Sequence, residues 1–179
     1  MAGLVYPVFA LPTKTNNFTR TENQTPPTLD GLAYLENFNP GDYAAIEWII
    51  QNTNPDDIIL EAVGNAYSYH ARISAATGRP TVIGWANHER QWRGDLYNDL
   101  AGNRENDVRE IYNSLSMSRA LELLEYYDVE YVYVGSLETD VSFAAPAGIQ
   151  KFERYLTAVY SANRVTIYRV GQPLSEVQE

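Results

Sequence analysis

The spacing of apolar positions divides the 179-residue chain into many short elements. Tyr43, Ile46, Ile49 and Ile50 recur at helical intervals and predict a helix over about 42–52. Asn39-Pro-Gly-Asp42 starts it, with an acidic side chain favourable at the positive helix N-terminus. Ile58 to Val63 is an apolar run broken only by Glu61, which predicts a buried strand ending at Gly64. A helix over about 67–77 follows, and then a second short strand from Pro80 to Gly84. Residues 95–103 are polar and predict a loop. Val108, Ile111 and Tyr112 mark a helix over 105–114, and Met117, Ala120, Leu121 and Leu124 mark another that ends near Tyr127. Val129 to Val134, dense in valine and tyrosine, is the clearest strand and ends at Gly135. Ile149, Phe152, Leu156 and Val159 continue as a helical stripe, and Val165 to Val170 predicts a closing strand.

Strands alternating with helices of about ten residues predict an α/β fold. The expected form is a three-layer sandwich around a mostly parallel sheet of about four strands. Residues 1–38 predict an extended arm, because Pro7, Pro12, Pro26 and Pro27 recur there and no period is sustained. Within it, Thr28-Leu-Asp-Gly31 predicts a turn, and Leu32 to Leu35 are apolar enough to dock on a core. Residues 39–171 form the expected α/β domain and 172–179 a tail. Asn17-Phe-Thr19 and Asn23-Gln-Thr25 match the glycosylation triplet, a pattern that arises by chance in Asn- and Thr-rich segments. Open α/β sheets bind ligands beyond the C-terminal ends of their strands. Gly64, Gly84 and Gly135 are therefore expected to rim one crevice.

Composition narrows the function classes. A net charge of −10 argues against nucleic acid and against adsorption to an anionic bilayer. The absence of cysteine excludes disulfides, thiolate metal sites and cysteine nucleophiles. The early apolar run from Leu4 to Leu11 is too short to span a membrane, and no basic region precedes it as in a secretory leader. Fourteen tyrosines against five phenylalanines suit half-buried surfaces that end in water or ligand.

The densest chemistry follows Gly84: Trp85, Asn87, His88, Glu89, Arg90, Gln91, Trp92 and Arg93. A core has no use for such a mixture, since each charge needs a partner or a large desolvation cost. The expectation is a recognition loop at a strand end, with Tyr67, Arg72, Trp85, Asn87, His88, Glu89, Trp92 and Arg93 as ligand-binding residues. Trp85, Trp92 and Arg93 could instead plug the sheet, with Arg93 paired to Glu89 or Asp95, a reading that weighs most for Trp92. His88 and Glu89 are the candidate acid–base pair of a self-contained hydrolase or transferase. A zinc-protease pattern fails because position 92 is tryptophan, and His70 and His88 are the two histidines of the chain. No metal and no cofactor is expected. Gly64-Asn-Ala-Tyr-Ser68 is neither a nucleophile elbow nor a dinucleotide fingerprint.

At Thr28-Leu-Asp-Gly31, Gly41-Asp-Tyr-Ala-Ala-Ile46, Tyr69-His-Ala-Arg-Ile-Ser74, Gly78 to Gly94 and Tyr131-Val-Tyr-Val-Gly135, the chain resembles the C-terminal soluble region of the YYY family of polytopic membrane proteins of bacteria and archaea. The Gly84-Trp-x-x-His-Glu-x-Gln-Trp-Arg-Gly94 run carries most of that resemblance. The membrane part of that family is similar to multi-spanning glycosyltransferases that use lipid-linked sugars. The resemblance implies an accessory domain on the extracytoplasmic face, non-catalytic alone, partnered by the membrane-spanning part of its own chain. It also implies a glycan or a lipid-linked sugar phosphate as ligand. The order of elements around Gly64 to Gly84 is loosely similar to the soluble core of oligosaccharyltransferase catalytic subunits. The aspartate-bearing tryptophan motif of those subunits is not found at Ala62 to Tyr69. A purely structural lid is the remaining alternative.

Overall fold

Four short strands organise the fold in the computed structural model, which describes residues 5–14, 17 and 30–171. Both glycosylation triplets, the first half of the Thr28 turn and the tail lie wholly or partly outside the described residues. The chain divides into two units, Met1–Ala33 and Tyr34–Glu179. In the first unit, α1 (Val5–Lys14) replaces the expected extended backbone. Pro7 falls in its first turn, where the missing N–H has no helical partner to lose, so proline there does not break the helix.

Helix α2 (Ala33–Phe38) has all but its first residue in the second unit and buries Leu35. Next comes α3 (Pro40–Asn52), close to the helix read from the isoleucine stripe. Asn39 Oδ1 accepts the Asp42 N–H at 3.2 Å, Pro40 opens the helix, and Ala45, Ile46 and Ile49 are buried. Strands β1 (Ile58–Leu60) and β2 (Val129–Val134) pair in parallel, as expected. The other strands are β3 (Thr157–Ala162) and β4 (Val165–Arg169), and the sheet order is β1-β2-β4-β3. Both remaining pairings are antiparallel, so the expectation of a mostly parallel sheet is corrected.

The reversal has a local cause. The helical stripe drawn through Val159 stops at the end of α9 (Pro146–Tyr155), and β3 begins two residues later. Asn163 and Arg164 take φ of 50° and 65° between strands paired at Ala162 and Val165. A two-residue turn with both φ positive joins strands only in antiparallel fashion. Pro80 to Gly84 forms no strand of this sheet; it lies beside β1 through one bond, Ile59 N–H to the Pro80 carbonyl at 3.0 Å.

The remaining helices are α4 (Arg72–Thr77), α5 (Ala86–Arg93), a 3-10 turn (Gly94–Leu96), α6 (Tyr97–Ala101), α7 (Arg104–Asn113) and α8 (Met117–Tyr126). Helices α7, α8 and α9 send Val108, Ile111, Tyr112, Leu124 and Phe152 into one core with Leu60 and Val132 of the sheet. The Tyr112 hydroxyl donates to the Tyr133 carbonyl at 2.7 Å and lies 3.1 Å from that of Leu60, which fastens β1 to β2.

Candidate functional site

The ends of β1 and β2 do not frame an open crevice; a buried ion network fills the space. Arg72, at the start of α4, sends Nε to Asp42 Oδ2 at 2.6 Å and Nη2 to Glu138 Oε2 at 2.9 Å, and Nη1 lies 3.9 Å from Glu61. All four side chains are at most 3% exposed. Glu138 also accepts the N–H of Ala62 at 2.8 Å and of Gly135 at 2.9 Å, so it ties together the chain leaving both strands. Asp42 accepts the hydroxyls of Tyr69 at 2.8 Å and Tyr133 at 2.7 Å. Burial opposes the Arg72 charge, but Glu138, Asp42 and Glu61 outweigh it and hold the guanidinium well above its usual value. A side chain at position 135 would meet the Tyr133 ring at 2.8 Å and Arg72 Nη2 at 3.3 Å, which is why glycine follows β2.

Glu61 serves a second purpose. Helix α4 begins after Ala71, at φ 61°, and no side chain of its own caps it. Glu61 supplies the cap from β1, accepting the N–H groups of Ile73 at 3.0 Å and Ser74 at 2.9 Å. Burial pushes its carboxyl above the usual range, against the pull of Arg72 and those two N–H groups.

The backbone from Gly64 to Ala71 is irregular rather than helical, and Tyr67, with φ 57°, is thrown outward. The His70 ring lies over Gly64, where an added Cβ would fall 2.4 Å from it. Burial, reinforced by Arg72, lowers the His70 pKa. The His70 carbonyl accepts Trp85 Nε1–H at 2.7 Å, linking the turn to the stretch before α5. The expected recognition loop is a helix, α5: Ala86–Arg93 holds no proline or glycine, and Glu89 pairs with Arg93 at 3.1 Å one turn on.

On this frame Tyr67, Trp85, His88 and Trp92 meet. The Tyr67 and Trp85 ring centres are 5.2 Å apart, and the Trp85–His88 and His88–Trp92 centres are 6.1 and 6.0 Å apart. His88 Nδ1 lies 2.9 Å from the Tyr67 hydroxyl, and Nε2 accepts Trp92 Nε1–H at 2.9 Å. Tyr67 and Trp92 are 73% and 77% exposed, so Trp92 does not plug the sheet. Neither His88 nitrogen contacts Glu89; that carboxylate accepts the Gly84 N–H at 3.2 Å and holds Arg93. Asn87 is exposed and accepts from Arg90 at 3.3 Å. Among the described residues no three His, Asp or Glu side chains are grouped to hold a metal. Seven of the eight expected ligand-binding residues thus lie on α5 or against it, and Arg72 is drawn into the buried network instead.

No protein-family model and no curated protein matches the chain. Several solved structures are similar in shape, one of them over nearly its whole length. It is the C-terminal globular domain of oligosaccharyltransferase from Archaeoglobus fulgidus, 14% identical, with a TM-score of 0.46, over 73% of this chain and 97% of that one. A likeness of that size carries no argument about activity. No helix among the described residues is long and apolar enough to cross a membrane.

Sequence reasoning missed Glu138 altogether, placed Asp42 only as a helix-start acid, and treated Glu61 as an interruption in a strand. The one available signal was Glu61 itself, a carboxylate within an apolar run that had to find a buried partner.

Proposed function

We propose that this chain is the accessory recognition domain of a membrane-embedded, glycosyltransferase-like protein of the YYY family. In this reading it is displayed on the extracytoplasmic face, has no turnover of its own, and binds a glycan or lipid-linked sugar phosphate. Residues 1–38 connect to the membrane part and 39–171 form the domain. The observation that carries the reading is the cluster of Tyr67, Trp85, His88 and Trp92, in which Tyr67 and Trp92 are exposed and Trp85 and His88 half-buried. Flat aromatic faces beside hydrogen-bonding groups suit the C–H faces and hydroxyls of a sugar ring, and Tyr67 and Trp92 leave most of their surface to solvent. Asn87, Glu89 and Arg93 supply polar groups at its edge. The hydrolase alternative gains no support from the geometry, because His88 and Glu89 face different partners.

The test is an NMR titration of the isolated chain with short glycans and sugar phosphates, following the indole N–H signals of Trp85 and Trp92. Saturable shifts confined to those signals and to α5 are the expected result. No shift at millimolar ligand removes the recognition reading in favour of a structural lid.

A further inference from the structure

Trp92 and His88 fix each other's chemistry. An indole N–H can only donate, so His88 Nε2, 2.9 Å away, must present its lone pair. A neutral imidazole has one N–H, which is therefore on Nδ1, and it donates to the Tyr67 hydroxyl oxygen at 2.9 Å. The solvent-exposed Trp92 ring thus covers a hydrogen-bond acceptor that would otherwise face water. Trp85 is anchored differently, by its bond to the His70 carbonyl, and stays in place if Trp92 swings away.

We infer that Trp92 is a displaceable cover over the His88 lone pair, and that the group replacing it is a hydrogen-bond donor: an uncharged sugar hydroxyl rather than a phosphate. The inference rests on the recognition reading above and narrows its ligand class. With Trp92 displaced, the site offers the Tyr67 and Trp85 rings and one acceptor between them, the pattern required by a sugar's C–H face and one hydroxyl. A phosphate oxygen would set a second acceptor against the lone pair. Of the cations on the helix turn of Trp92, Arg93 is engaged by Glu89, and Arg90 by Asn87 and the Tyr97 ring.

The groups that face the His88 ring are Tyr67 from the turn after β1, Trp85 ahead of α5 and Trp92 on α5. Among the described residues no carboxylate lies within ion-pair distance of His88. Of the neighbouring charges on α5, Glu89 and Arg93 pair with each other, and Arg90 meets Asn87 and the Tyr97 ring.

Two-bond proton–nitrogen spectra of the 15N-labelled chain read the His88 tautomer without any ligand. The expected result is a protonated Nδ1 and a bare Nε2 on His88. In the same sample, N-acetylglucosamine is expected to move the Trp92 indole N–H signal and to bind about fivefold more tightly than its 1-phosphate, the worth of roughly one net hydrogen bond. An Nε2–H tautomer with sugar binding intact overturns this inference and leaves the recognition reading standing. Equal or tighter binding of the phosphate also overturns it alone. A correct tautomer with no response to either sugar overturns the recognition reading, and this inference with it.

Discussion

Arg72 and Arg93 are both arginines near an aromatic cluster, yet one belongs to the scaffold and the other to the surface. The Arg72 side chain is 3% exposed and meets three carboxylates; that of Arg93 is 45% exposed and meets one. In water an ion pair gains little, since solvent screens it and two long side chains must be ordered. In the interior a charge cannot fall back on solvent, so each partner becomes indispensable to the others. The difference teaches that charge density does not mark a site in this protein. The densest charges are consumed in joining α3, α4, β1 and the chain after β2, and the faces left free are aromatic.

Four experiments can break or sharpen that contrast. The largest effect belongs to Arg72→Met, which strands three buried carboxylates and should lower the unfolding free energy by about 3–5 kcal/mol in urea melts. A loss no greater than that of an exposed pair would erase the distinction. Next is Tyr133→Phe, which removes one hydroxyl donor to Asp42 and should cost about 1.5–3 kcal/mol by the same measurement.

A smaller, pH-dependent effect comes from Lys151, a buried cation with no carboxylate partner among the described residues. Its Nζ donates to the carbonyls of Gly148 at 2.6 Å and Tyr112 at 3.2 Å, and burial lowers its pKa to about 8 from 10.5. Between those two values the unfolded chain binds the proton and the folded chain does not, so this group makes stability rise with pH in that window. Stability measured from pH 8 to 10.5 should climb less steeply in Lys151→Met than in the parent chain. The smallest effect is Arg93→Ala, which breaks an exposed i,i+4 pair and should cost about 0.3–0.5 kcal/mol.

Much of the fold was legible where local pattern and final environment agree. The isoleucine stripe of α3, its Asn39 cap and the valine-rich β2 were all readable, because each is decided by residues a few positions apart. The β3–β4 hairpin was not, because Leu156 and Val159 happen to extend the apolar spacing of α9. Asn163-Arg164 is also a weaker turn signal than asparagine followed by glycine. In the candidate site, Tyr67, Trp85, His88 and Trp92 were readable as a cluster of large polar-tipped rings. Their mutual hydrogen bonds were not, since Tyr67 reaches His88 only through the turn that Glu61, His70 and Arg72 shape.

What the sequence determined by itself was a small mixed α/β domain, without thiol chemistry, carrying one run of exposed-type aromatic residues after Gly84. Periodicity and composition suffice for that, because they record which side chains must leave water. Only the tertiary structure decided which charges are solvated and which are walled in, and which group each nitrogen of His88 meets. Those outcomes depend on groups far apart in the chain arriving within 3 Å of each other: Asp42 with Tyr133, Ala62 with Glu138, and Tyr67 with His88. Hydrogen bonding falls away steeply beyond that distance, so no local pattern of residues encodes it.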